Sequence, residues 1–391
     1  MKRIYLDNAA TTPISNEVYR EMLDVYQNQF GNASSLHYFG REANNVIEIA
    51  REKIARAIGA FPNEIYFTSG GTESDNWAIK EIAHANREKG NHIITSTIEH
   101  PAVLESCKQL EKEGFDVTYI PVDKFGVINY AELVKSINSK TILISIMSAN
   151  NEVGTLQPLR AIAELAKSNK VYFHTDAVQA FGNMEIDVHS MGIDLMSISG
   201  HKIQGPKGVG VLYIKRGTKI GRFMSGGEQE KGLRGGTLNT PAIVGMGKAA
   251  EIAVRDLDAN IKALKNIRKY FIRKVNENIR NVEINGHPVQ RLPGNANLAF
   301  EGVEGESLLM MLDIEGIAVS TGSACASGSL EPSHVIKAMG LNDEVAHSSI
   351  RFSFAKNITP SEVDYVVEKL RVAVKKLRSI SAIRIYRKEE E

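Results

Sequence analysis

Through its middle the chain alternates between short apolar runs and amphipathic stretches, and this alternation constrains the fold more than any other feature. Ile65–Thr68, His92–Thr97, Val117–Pro121, Thr141–Met147, Val171–Thr175, Leu195–Ser199 and Val209–Ile214 read as strands. Between them, Glu73–Lys89, Ala102–Glu113, Tyr130–Asn138 and Leu159–Ser168 read as helices. Buried, β-branched strands joined by helical crossovers predict an α/β domain with a mostly parallel sheet. At 391 residues the chain can bury a large core without help from disulfides or metal.

After Pro241 one long helical stretch reaches about Asn281, and then the pattern changes. Asn297–Phe300, Ala318–Ser320 and Ser349–Phe354 read as strands, and Ser307–Asp313, Ser333–Met339 and Pro360–Leu377 as helices. The chain therefore divides into a large α/β domain over 14–261 and a smaller α+β domain made of 1–13 and 262–391. The tail from Ser379 reads as frayed.

Lys plus Arg number 47 against 46 Asp plus Glu, a net charge of +1, so charge offers no argument for binding nucleic acid or a membrane. The start, Met1 to Asp7, turns acidic at once and holds no apolar run, so no signal peptide is expected. Apolar stretches such as Ile142–Met147 are too short to span a bilayer. Two cysteines, Cys107 and Cys325, make no disulfide framework and suit a reducing compartment, with the cytoplasm as the expected location. The 10 histidines and two cysteines show no Cys-x-x-Cys or His-x-x-x-His spacing, so no metal site is expected.

Open α/β sheets bind ligands outside the carboxyl ends of their strands, and the reactive residues of this chain fall there. Thr68-Ser69-Gly70-Gly71-Thr72 joins a strand to a helix. Its glycines let the backbone approach an anion, and the helix N-terminus offers free N–H groups. A capped Gly-Gly turn is also a common structural feature. Asp176 ends an apolar strand, where a carboxylate can pair with a buried cation such as a pyridinium nitrogen; it can equally cap the next helix. Lys202 follows another strand inside Ser199-Gly200-His201-Lys202, where a desolvated lysine can lose its proton and attack an aldehyde. A solvated basic loop is the alternative, and Lys207 nearby is given no role. Anion cradle, acid and lysine together fit the phosphate, ring and aldehyde of one cofactor, pyridoxal 5'-phosphate.

The chain resembles the cysteine desulfurases, in the class V branch of the fold-type I pyridoxal-phosphate enzymes. The resemblance runs through Leu6-Asp7-Asn8-Ala9-Ala10, Gly31-Asn32, Thr72-Glu73-Ser74-Asp75, Glu99-His100, Asn150-Asn151-Glu152-Val153-Gly154, the Asp176 and Lys202 motifs, Arg234-Gly235-Gly236-Thr237, Gly322-Ser323-Ala324-Cys325 and Ser349-Ile350-Arg351. It implies a fold-type I transferase with a large mostly parallel-sheet domain and a smaller α+β domain. It implies Lys202 as the Schiff-base lysine, His100 as the ring-stacking histidine and an acid/base, and Asp176 as partner of the ring nitrogen. Gln179 and Asn151 match residues near the ring hydroxyl. Gly71 belongs to the cradle, and Thr72, Ser199 and His201 match phosphate ligands. Thr237 matches a phosphate ligand given to the neighbouring subunit, which implies a homodimer. Arg351 matches the grip on the substrate carboxylate, with Asn32 and Asn151 beside the substrate. Read alone, His100 before Pro101 suits a cap or the surface, and Asn150-Asn151 suits a turn, whereas Arg351 in an apolar strand needs a partner.

Cys325 lies in Ser320–Pro332, a small, polar, glycine-rich stretch that reads as an exposed loop, unlike the surroundings of a structural cysteine. Cys107, within a helix, reads as packed and inert. The implied reaction binds L-cysteine, removes its α-proton with Lys202, passes its sulfur to the Cys325 thiolate as a persulfide and releases L-alanine. The Ser-Ala-Cys form on a longer loop resembles the group serving iron–sulfur scaffolds or transfer-RNA thiolation enzymes. Neither direct nucleic-acid nor membrane binding is expected. The competing readings are a selenocysteine lyase, a class V aminotransferase, and a non-enzymatic sulfur carrier or scaffold.

Overall fold

A computed structural model describes residues 3–321 and 332–380. Cys325 and its loop lie outside the described residues, as does the tail beyond Ile380. The centre is a seven-stranded sheet in the order Ile65–Thr68, Gly210–Ile214, Leu195–Ser199, Tyr172–Asp176, Thr141–Ser145, His92–Ser96, Asp116–Ile120. Gly210–Ile214 runs antiparallel to both neighbours, and the other pairings are parallel. The expected α/β architecture is thus present, with each expected strand of this sheet in place.

Alternation along the strands explains the two layers that cover the sheet. Phe67, Ile94, Ile144, Ile198 and Val211 face one core, which also holds Ile47 and Ile54 from the helix Tyr38–Ala57 and Met246 from Thr240–Arg255. Their neighbours Tyr66, Ile93, Leu143 and Leu212 face the other, with Trp77, Ile82, Val103, Cys107 and Leu110. Cys107 is fully buried there, and burial pushes its thiol up to about 12, so it stays protonated at neutral pH.

The C-terminal part packs a four-stranded antiparallel sheet, in the order Ser320–Thr321, Ser349–Ser353, Asn295–Phe300, Val282–Asn285, against Leu257–Asn278, Gly305–Ile314 and Pro360–Ile380. Phe271 lies 4.8 Å from Phe352 and 5.2 Å from Phe354, centroid to centroid, at the middle of this core. Ile4–Tyr5 crosses from the N-terminus to pair with Ile317–Ala318, and Ile4 and Leu6 bury among the same side chains.

Several expectations change. The helix expected from Pro241 to Asn281 is two helices, Thr240–Arg255 and Leu257–Asn278, joined at Asp256. Ile252 and Ala253 face the large core, while Leu264 and Ile267 face the small one. A break lets each helix turn its apolar stripe to its own core. The strand expected at Ala318–Ser320 is two short strands in two different sheets. Val282–Asn285 adds a strand that no apolar run announces. The final helix runs through Ser379 to Ile380.

Candidate active site

The helix expected from Glu73 begins at Gly71, two residues earlier, which places Gly71 and Thr72 in its first turn. Gly70 caps it without any side-chain hydrogen bond, leaving the first N–H groups to an anion. A Cβ on Gly71 would lie 2.7 Å from Val178 Cγ2 and 3.8 Å from Ser199 Cβ, so a side chain there would close the cradle. Ser199 is buried at the end of its strand, and His201 follows it. Burial, with Lys202 and Lys207 nearby, lowers His201 to about 4, so at neutral pH it is an uncharged imidazole, held on Thr11 Oγ1 at 3.1 Å.

These residues open onto a cavity of about 190 Å³. Asp176 reaches it from the strand Tyr172–Asp176 and is 7% exposed. Burial raises its pKa, opposed by His100, by the Val178 N–H at 2.8 Å and by Lys202. The carboxylate caps the following turn and also faces the cavity. His100 likewise both caps a helix and lines the cavity. Its Nδ1 accepts the Ala102 N–H at 3.1 Å as the cap of Pro101–Lys112, which in the neutral ring puts the proton on Nε2. Burial lowers its pKa, Asp176 opposes this and Lys202 adds to it.

Lys202 Nζ donates to the carbonyls of Ala9 at 2.5 Å and Ala10 at 2.8 Å. Gln179 Nε2 donates to the same Ala9 carbonyl at 2.8 Å. Arg351, 2% exposed, donates Nη1 to the Asn151 carbonyl at 3.1 Å and Nη2 to Asp7 Oδ1 at 2.9 Å. Its buried Nε has no hydrogen-bond partner among the described residues. The expected Gly71, Thr72, His100, Asn151, Asp176, Gln179, Ser199, His201, Lys202 and Arg351 thus share one cavity. Asn32 and Thr237 are exposed and do not line it. Lys207 is exposed and absent from it as well.

Other groups reach the same place. Asp7 supplies the arginine's counter-charge, and the Ala9-Ala10 carbonyls hold the lysine, though their motif gives them no role by itself. Asp75, one helical turn after Thr72, lines the cavity with a buried Oδ1 that lacks a hydrogen-bond partner among the described residues. Burial and the nearby Asp176 push Asp75 well above the carboxylate range, although Ser197 opposes them. His174, lowered to about 3 by burial, lies 3.6 Å from Asp75 Oδ1. In the sequence Asp75 is marked by its place in the Thr72-Glu73-Ser74-Asp75 motif and by its helical spacing of three from Thr72.

The set fits pyridoxal phosphate: an anion cradle, a buried acid for the ring nitrogen, a lysine for the aldehyde and an arginine with an unspent donor for a substrate carboxylate. Among the described residues no group of three or more His, Cys, Asp and Glu side chains is placed to hold a metal. No helix among them is long and apolar enough to cross a membrane.

The family model Aminotransferase class-V matches residues 4–366. "Cysteine desulfurase IscS" of Methanosarcina thermophila is 53% identical over 382 residues, spanning 98% of this chain and 94% of that protein. "Cysteine desulfurase" of Homo sapiens is 47% identical over 386 residues, spanning 98% and 84% respectively. A solved structure of a "NifS-like protein" superposes with a TM-score of 0.91 at 40% identity, covering 96% of this chain and 100% of that one. The chain belongs to the aminotransferase class-V family and, within it, to the cysteine desulfurases.

Proposed function

We propose that this pyridoxal-phosphate-dependent cysteine desulfurase works with Lys202 and His100 as proton-handling groups, Arg351 as the substrate grip and Cys325 as the sulfur acceptor. The observation that carries the reading is the convergence of His100, Asp176, Lys202 and Arg351, from four separate segments, on one cavity. Bound through Lys202, the cofactor supplies an electron sink, and Asp176 keeps the ring nitrogen protonated. Gly71, Thr72, Ser199 and His201 hold the phosphate. Gln179 and Asn151 flank the ring, and Asn151 also flanks the substrate.

Arg351 aims the carboxylate of L-cysteine, taking it up on the fork that now spans Asp7 and Asn151. Lys202 would act as the base that removes the α-proton. The Cys325 thiolate then attacks the substrate sulfur. The carbon–sulfur bond breaks with its electron pair left on the β-carbon, a sulfur–sulfur bond forms on Cys325, the β-carbon takes a proton to become the methyl group of alanine, and the α-carbon regains the proton that Lys202 removed. His100, uncharged and carrying its proton on Nε2, is placed to serve that exchange.

The persulfide then passes to an acceptor protein, an iron–sulfur scaffold or a transfer-RNA thiolation enzyme, with no direct contact to nucleic acid or membrane. The working form is a cytoplasmic homodimer in which Thr237, and Asn32 beside an exposed apolar patch, reach the neighbouring site. Leu36 is 91% and Phe30 77% exposed in that patch, which is the kind of surface a second copy covers. Residues 14–261 form the cofactor-binding domain, and 1–13 with 262–391 the domain that carries the cysteine loop.

The test compares wild type with Cys325→Ser, given pyridoxal phosphate, cysteine and a reductant, and measures sulfide and alanine together. Matched products from the wild type alone support the reading. Equal activity in both proteins removes Cys325 as the nucleophile and favours lyase or aminotransferase chemistry without a thiol.

A further inference from the structure

The turn Asn150–Val153 touches two parts of the molecule that the reaction must hold in register. The turn is tied together by its own first side chain. Asn150, fully buried, accepts the Glu152 and Val153 N–H groups on Oδ1 at 2.9 and 3.0 Å and donates Nδ2 to the Ile98 carbonyl at 3.0 Å. On one side, the Asn151 carbonyl holds Arg351 at 3.1 Å. The Glu152 carbonyl accepts Nδ2 of Asn295 at 3.1 Å and of Asn297 at 3.3 Å, and Asn297 is the register partner of Arg351 across the antiparallel sheet. The backbone of the turn is thus fixed to the strand that presents the substrate arginine.

On the other side, the Glu152 side chain points away from the cofactor cavity to Ser333. The Ser333 hydroxyl donates to Glu152 Oε2 at 2.5 Å, and both residues are buried. Ser333 caps His334–Ala338 and also accepts the Ile336 N–H at 3.2 Å. The next residue, His334, meets the carbonyl of Glu99, the residue before His100, at 3.1 Å. The chain that resumes after the Cys325 segment is therefore held at its first turn by two contacts, one to each wall of the cofactor site.

Solubility does not explain a carboxylate buried at this point, and the hydroxyl it holds would cap its helix without it. Burial raises Glu152 to about 7, while Ser333 and Arg351 favour its charged form. We propose that Glu152 is a positioning residue for sulfur transfer, which through Ser333 pins the chain following Cys325 to the turn that holds Arg351. The first described turn after the Cys325 segment and the strand that presents Arg351 then share one brace. This rests on the reading of Cys325 as sulfur acceptor.

The test uses the holoenzyme in the variants Ser333→Ala, Ser333→Thr, Glu152→Ala, the double alanine variant and Cys325→Ser. Two quantities are read: cysteine affinity, from the absorbance change on mixing, and the single-turnover rate of persulfide formation. A buried hydrogen bond to a charged group predicts a rate loss of about tenfold to hundredfold in either alanine variant. The double variant is then no slower than the slower single one, because both remove the same contact. Ser333→Thr keeps the donor and the wild-type rate, and cysteine affinity moves by less than about threefold throughout. Should Glu152→Ala not fold, the Ser333→Ala and Ser333→Thr pair decides. Alanine variants that form persulfide at the wild-type rate while Cys325→Ser is inactive overturn the proposal and leave the Cys325 reading intact. So do losses that add in the double variant, or that fall equally on cysteine binding. Persulfide chemistry undiminished in Cys325→Ser removes the Cys325 reading and the proposal with it.

Discussion

The substitution Asp176→Asn should separate the chemistry of the site from the stability of the fold, because its effect has opposite signs in the two. Asp176 Oδ1 accepts the Val178 N–H at 2.8 Å, and an asparagine oxygen can keep that bond while losing the charge. In the cofactor-free protein the charge is a burden, since burial raises the folded-state pKa. The unfolded chain ionises near ~3.9. Stability therefore falls as pH rises from that value to the folded one, and stays lowered above it. Asparagine lacks this dependence, so the cofactor-free variant should be at least as stable as wild type at pH 7, with the advantage vanishing below about pH 4. With a protonated ring nitrogen opposite, the sign reverses. Removing one partner of a buried ion pair costs about 3–5 kcal/mol. At ~1.4 kcal/mol per tenfold, turnover or cofactor affinity falls by roughly two to three and a half orders of magnitude. Single-turnover alanine formation at saturating cofactor, beside calorimetry of the cofactor-free protein from pH 4 to 8, measures both. A variant that stays cofactor-loaded and keeps turnover within about tenfold of wild type would refute the pairing. A cofactor-free variant melting well below wild type at pH 7 would show that the loss is structural.

Arg351→Lys loses the planar fork that spans Asp7 and Asn151, so the KM for cysteine should rise about tenfold to hundredfold with a smaller change in kcat; an unchanged KM would remove Arg351 as the carboxylate grip. Glu99 is raised to about 8 by burial, so the wild type loses stability as pH climbs from the ordinary carboxylate value of 4.5 toward 8. Glu99→Gln should flatten that slope, and urea titrations of the cofactor-free protein at pH 5 and pH 8 check it: the variant should gain on wild type at the higher pH. Leu36→Glu places a charge in the exposed apolar patch and should shift sedimentation toward monomer, with cofactor retention falling in parallel; a dimer of undiminished stability would exclude that patch as the interface.

Legibility followed the range of the interactions involved. The seven strands of the main sheet announce themselves because each is a local apolar run, and several candidate site residues stand out because they sit at or just beyond a strand end. The break at Asp256 was not legible, for no proline or glycine marks it; it arises because the helical stretch must serve two cores at once. The strand Val282–Asn285 was missed for a similar reason. It is an edge strand with exposed Glu283 and Ile284, held by its partner Asn295–Phe300 rather than by an apolar pattern of its own.

By itself the sequence determined the α/β class, because periodicity acts over a few residues, and it marked the Gly70-Gly71 turn, Asp176 and Lys202 as candidates at strand ends, with Arg351 marked as a charge in an apolar strand. Only the tertiary structure decided what those groups face. It set Asp7 and the Ala9 and Ala10 carbonyls, from the first residues of the chain, against Arg351 and Lys202. It buried Asp75, Glu99, Asp176 and His174 close enough to shift one another or to be desolvated together. It also joined Glu152 to Ser333 across 181 positions of sequence. Such contacts leave no local signature, because a buried charge is set by the dielectric and the partners that folding brings to it.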